Sequence, residues 1–199
     1  MRARRLREAA EHSIGMPAGE QARLYLMDLA DQLSVASRQL KECEKRMENA
    51  LDKAGTTAKL ILTIPGVGPV VAVHLLGRLG DPHQYPHPRQ VVKMAGMNLT
   101  HNSSGHTDGK RHLSKRGSAL MRATVYQAAL SVIRADPAMR AIYHELRTKA
   151  KDPLTGTAAL CATGVRLLRV IWGMSRHESA YDRDLVLTHL RRHRHRKAA

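Results

Sequence analysis

The chain has no phenylalanine, and aromatic residues make up only 3% of its 199 positions. A core of stacked rings is excluded. Leu, Val, Ile, Ala and Met must fill the interior, and a hydrophobic content of 43% is enough for a real one. Cysteine is scarce as well. Cys43 and Cys161 stand far apart with no CxxC spacing, so neither a zinc framework nor a disulfide scaffold is indicated, and a reducing cytoplasm fits. No apolar run reads as long enough to span a bilayer. The opening Met1-Arg2-Ala3-Arg4-Arg5-Leu6-Arg7 leads into no apolar signal core, so neither membrane insertion nor secretion is expected. Acidic residues are few, 17 against 33 Lys plus Arg, for a formal charge of +16. That imbalance points to a polyanion, nucleic acid first and an anionic membrane second; a merely solvated basic surface is the bland alternative.

What is present is helical pattern. The length suits one domain, or a small domain with an extended helix. Residues 1–16 form a basic lead-in, with a short helix ending near Gly15, and Pro17 suits the first turn of a new helix. Leu26, Leu33, Leu40 and Met47 then recur at heptad spacing, with Leu29, Ala36, Cys43 and Ala50 at the companion position and Arg38, Lys41, Glu44 and Lys45 around them. Such a seam makes a coiled coil within or between chains, or the buried stripe of a long amphipathic helix packed on its own domain. Gly55 ends it.

Ala58 to Leu62 reads as a short helix stopped by Pro65 and Gly66, and Pro69 restarts one that runs to about Leu79. Helix, Pro-Gly-Val-Gly turn and helix together suggest a helix-hairpin-helix, in which Gly66 and Gly68 let backbone N–H groups face a phosphate. An ordinary helical turn has the same composition. His83 and His87 lie in the loop from Gly80 to Pro88; without Cys or acidic neighbours they read as surface histidines, and no metal site is expected. A short helix from Pro88 to Ala95, capped by Gly96, precedes a polar loop from Met97 to Lys110. Ser114 or Ser118 caps the next helix, which extends to about Arg134 with Met121, Val125, Ala128, Ala129 and Val132 inward. Asp136-Pro137 opens another, with Met139, Ile142, Tyr143 and Leu146 inward. Pro153 and Gly156 break it. Thr157 caps a further helix carrying Leu160, Gly164, Leu167, Leu168 and Ile171 on one face. A last short helix holds Leu185 and Leu190, and His189 to Lys197 is a basic tail. The expected fold is all-α: residues 1–56 a lead-in and long coiled-coil-like helix, 57–178 a domain containing the helix-hairpin-helix, 179–199 a short helix and tail.

Between the polar loop and its helix lies a chemical constellation. A hydroxyl that attacks a phosphodiester needs exposure, cations on the non-bridging oxygens and a route for its proton. Ser104 before Gly105 offers the hydroxyl; Lys110, Arg111, Lys115, Arg116 and Arg122 offer the cations. Asp108 is the one acid close by, so this segment alone does not build a metal site. No Gly-x-Ser-x-Gly elbow surrounds Ser104. By spacing alone, a phosphate-binding loop without covalent chemistry is the better reading.

The ordered run Ile64-Pro65-Gly66-Val67-Gly68, Ala95-Gly96, Ser103-Ser104-Gly105, Ser114-Lys115-Arg116-Gly117 and Arg122 resembles the C-terminal transposase domain of the DEDD-type insertion-sequence transposases (insertion-sequence family one-ten), which act as bridge-RNA-guided recombinases. The resemblance covers about residues 26–172. It implies a nucleophilic serine at Ser104, a covalent serine–DNA phosphate intermediate, DNA and a structured guide RNA as partners, and a homo-oligomer. It also implies an acidic RNase H-like domain, which would bring Mg2+; this chain itself calls for no cofactor. That domain is absent here, which suggests a fragment or a decayed element. His112 and Asn98-Leu99-Thr100 also depart from the family's pattern. Two alternatives remain in other classes: a non-catalytic helix-hairpin-helix nucleic-acid-binding protein, and a structural coiled-coil partner whose charge is incidental.

Overall fold

A computed structural model of the chain describes residues 2–13, 19–100, 112–114, 116–149 and 151–188. The fold is all-α apart from one two-stranded ribbon. Two helices come first: α1 (Arg2–Glu11) and α2 (Glu20–Lys53). Then come α3 (Thr56–Leu62), α4 (Pro69–Leu79), a 3-10 turn (Pro82–Gln84) and α5 (Pro88–Met94). Strands β1 (Leu99–Thr100) and β2 (His112–Leu113) pair antiparallel, Leu99 opposite Leu113 and Thr100 opposite His112. Helices α6 (Ala119–Ala135), α7 (Pro137–Thr148) and α8 (Gly156–His177) follow, and residues 183–188 form a short α9.

The chain divides into two compact units, Met1–Cys43 and Glu44–Ala199. In the first unit the heptad residues face solvent: Leu26, Leu33 and Leu40 are 60%, 69% and 60% exposed. The second unit holds the core, starting with Leu51 in the last turn of α2. Its centre is α8, which packs on α3, α5, α6, α7 and the 3-10 turn. By length and apolarity α8 does meet the requirement for a membrane span, contrary to the sequence reading. Its face of Leu160, Gly164, Leu167, Leu168 and Ile171 is buried as expected, so its apolarity serves the core. Gly164 lets α8 meet α6 closely; a Cβ there would stand 2.7 Å from Val125 Cγ1.

The caps follow local chemistry with one correction. Of the two candidates Ser118 caps α6, its Oγ accepting from Met121 N. Thr155, not Thr157, caps α8, accepting from Ala158 N. In α9 it is Val186 that turns inward, while Leu185 is 59% exposed; Asp182 accepts from the N–H groups of Asp184 and Leu185 and sets that register. Leu190, Pro17 and the basic tail lie outside the described residues. Cys43 and Cys161 are both free thiols, and burial pushes the Cys161 thiol up.

One polar network ties the C-terminal segment to the core. Asp136 is fully buried between α6 and α7. Its Oδ2 accepts from Met139 N at 3.0 Å, capping α7, and from the Tyr181 hydroxyl at 2.6 Å. Its Oδ1 accepts from Arg183 Nε at 3.0 Å. Tyr181 N in turn donates to Thr63 Oγ1, at the end of α3. Burial first, then the bond to Asp136, raise the Tyr181 phenol far above the ordinary tyrosine range.

Candidate nucleic-acid interface

The turn from α3 to α4 is as short as the sequence suggests, closed by Val67 N donating to Ile64 O at 3.0 Å. Its two glycines have different jobs. Gly66 has φ +90°, and a Cβ on it would meet Ser131 O at 2.7 Å and Ala135 Cβ at 3.0 Å. Its small size is spent on packing the turn against α6. Gly68 is exposed, caps α4 in extended conformation and has open space around it. Pro69 has no N–H, so any anion approaching here meets the next residues of the first turn.

A second pair of glycines fixes the other corner. Gly96 has φ +67°, and a Cβ there would stand 2.6 Å from Arg116 O. Gly117 has φ +120°, and its Cβ would meet Met94 O at 3.2 Å and Gly96 Cα at 3.3 Å. The chain leaving α5 and the chain entering α6 therefore touch backbone to backbone. Above this contact Ser114 Oγ bonds Asn98 Oδ1 at 2.6 Å, Ser114 N donates to Asn98 O at 2.8 Å, and β1 pairs with β2. Met97 to Lys110 was expected as loop throughout; its first residues instead belong to this ribbon, and Ser114 serves as a clamp rather than a helix cap.

Arg122, in the first turns of α6, donates from one Nη to Gly117 O at 3.0 Å. That same Nη lies 3.1 Å from where a Gly96 Cβ would sit. Arg116 is exposed beside it. Arg78, near the end of α4, joins the corner from the other side, one Nη 3.4 Å from Ser118 Oγ. Sequence reasoning passed over Arg78. The available signal was weak: it is the only Lys or Arg in α4, in the last turn, where a cation is also explained by the helix dipole. The structure thus gathers Arg116, Arg122 and Arg78 at the Gly96–Gly117 corner, and places Gly66 and Gly68 in the separate α3–α4 turn. Ser104, Lys110, Arg111 and Lys115 lie outside the described residues. His87 caps α5 through Nδ1 and His83 lies in the 3-10 turn capped by Asp81. No group of three or more His, Cys, Asp or Glu that could hold a metal ion occurs among the described residues.

A basic helical domain with this corner has relatives. Residues 58–144, from α3 into α7, match the family model for transposases of the IS116/IS110/IS902 family. Over 172 residues, 86% of its length, the chain is 27% identical to the insertion element IS110 uncharacterized 43.6 kDa protein of Streptomyces coelicolor, covering 42% of it. It is 27% identical over 173 residues to the insertion element IS900 uncharacterized 42 kDa protein of Mycobacterium paratuberculosis, 86% of this chain and 42% of that one. The transposase for insertion sequence element IS1111A of Coxiella burnetii is 31% identical over 85 residues, 43% of this chain and 23% of the relative. These matches relate the chain to the insertion-sequence transposases of that family. The chain spans less than half the length of the first two of these relatives.

Proposed function

We propose that this chain is the DNA-joining part of an insertion-sequence transposase, acting with Ser104 as nucleophile in a covalent serine–DNA intermediate. The observation that carries the reading is that the family match, residues 58–144, takes in both the α3–α4 turn and the glycine-pinned corner where Arg116 and Arg122 stand. Gly68, Lys110, Arg111, Lys115, Arg116 and Arg122 contact phosphates in this reading, and the α3–α4 pair works as a helix-hairpin-helix. DNA is the substrate, a structured guide RNA the second partner, and the cytoplasm the compartment. The described residues do not fit a Mg2+ site: the most buried carboxylate, Asp136, already has both oxygens engaged. In this reading an acidic domain would hold any Mg2+.

The reading is tested by nucleic-acid binding and by covalent capture. Affinity for a labelled DNA duplex is expected to fall by orders of magnitude between about 50 and 200 mM salt, because each neutralised phosphate releases a counterion. Flat affinity over that range sinks the electrostatic account. Steep binding with no protein–DNA adduct on a suicide substrate, even with an acidic domain and guide RNA supplied, selects the non-catalytic binding reading.

Self-association is the second part of the proposal. The exposed Leu26, Leu33 and Leu40 line one heptad row of α2, and a second copy covers such a row at low cost because both partners bury the same residues. Sedimentation at micromolar concentration is expected to show a dimer or higher species. The double substitution Leu33→Asp and Leu40→Asp is expected to give a monomer. A wild-type monomer at that concentration rules the assembly out.

A further inference from the structure

We infer that Arg78 binds a backbone phosphate of the nucleic acid, forming with Arg122 a seat around the exposed Gly117–Ser118 peptide. The inference rests on the proposed nucleic-acid function for its ligand class, and on the geometry of the corner for its place. Arg78 and Arg122 come from different helices, yet one reaches Ser118 Oγ and the other Gly117 O. These two acceptor atoms belong to adjacent residues, so two guanidinium groups flank one peptide. Gly117 and Ser118 are both exposed, which leaves the approach open to a sugar–phosphate backbone.

Arg78 is poorly served by its own protein. Its bond to Ser118 is 3.4 Å long, at the outer edge of hydrogen bonding. Its Nε is buried and has no hydrogen-bond partner. No described carboxylate pairs with it. A guanidinium carries five N–H donors in a planar fork, and burying one unpaired is costly. An arginine whose task was to hold the α6 cap would use a shorter bond and satisfy its Nε. A phosphate supplies acceptors on the Nη side, where the contact with Ser118 lies at the surface, and brings the opposite charge. Arg116, exposed on the residue before Gly117, adds a third cation next to the corner along the chain.

The test uses the full chain, a fluorescein-labelled 20-mer duplex in several sequences, and salt titrations of wild type, Arg78→Gln, Arg78→Lys and Ser118→Ala. Arg78→Gln is expected to weaken binding roughly tenfold on every sequence and to lower the salt slope by about one, the signature of one lost phosphate contact. Arg78→Lys is expected to keep the slope. Ser118→Ala, which removes the cap and the Arg78 partner but no charge, is also expected to keep it. Wild-type slope in Arg78→Gln overturns the inference and leaves the nucleic-acid reading standing. A Ser118→Ala variant that reproduces the loss shows that Arg78 acts through the cap, and also overturns it. Flat wild-type binding removes the nucleic-acid reading and the inference together. A readout on unmutated protein keeps the test sound if Arg78→Gln folds poorly: bound duplex is expected to protect Arg78 from phenylglyoxal, mapped by mass spectrometry, and full modification in the complex refutes the contact.

Discussion

Ser104→Ala is expected to abolish covalent protein–DNA adducts while leaving DNA affinity within about twofold of wild type, since it removes a nucleophile and no charge. On the proposed reading the adduct forms when the serine oxygen attacks a backbone phosphorus and the 3′ or 5′ oxygen departs with the proton that the serine gives up. A serine hydroxyl is almost wholly protonated near neutral pH, so the rate depends on cations that stabilise charge on the phosphate as it builds. Substituting a positioned cation therefore lowers both adduct yield and affinity, whereas substituting the nucleophile lowers yield alone. Ser103→Ala has the same composition change one residue earlier and is expected to keep the adduct. The assay supplies an acidic domain and a guide RNA and uses a nicked or suicide duplex that traps the intermediate. An adduct that survives Ser104→Ala, or one whose linked peptide carries Ser103 or Ser114, overturns the assignment.

Asp136→Ala is expected to destabilise the second unit by about 3 kcal/mol, from an α7 cap worth about 1 kcal/mol and charge-assisted hydrogen bonds worth about 2 more. Because Arg183 is half exposed, water can take over its side of the ion pair, and little is added for it. Urea unfolding followed through Trp172 reads the effect well, since that indole is the chain's only one and donates to Tyr85 O inside the same unit. A loss under about 1 kcal/mol is evidence that the buried carboxylate's bonds merely offset its desolvation. The network also has a pH signature. The folded Tyr181 phenol titrates well above its unfolded value of about 10. Its contribution is thus complete below about pH 10 and is lost as pH rises through the folded value. Tyr181→Phe is expected to flatten that alkaline decline.

Where the chemistry of an element is local, the sequence specified it closely. Pro69 and Gly80 bracket α4 because one fixes φ at a helix start and the other adopts a positive φ at its end. The inward row of α6, Met121 through Val132, follows from helical period alone. Where a choice depends on a distant partner, the sequence left it open. Ser114 and Ser118 were equal as caps until Asn98, a residue from the other side of the ribbon, engaged the first of them. Gly66 looked like a glycine kept for phosphate, and only the approach of Ser131 shows the packing it serves. Arg78 and Ser118 are distant in sequence, and no pattern joins them. The heptad row of α2 was plain, whereas the burial it needs is not found among the described residues of its own unit.

The backbone contact between Gly96 and Gly117 brings the chain leaving α5 and the chain entering α6 to one point, with no room for a Cβ on Gly96. A side chain at Gly96 would have to part the two segments, so the ribbon's register and the seat of Arg122 both depend on that position staying bare.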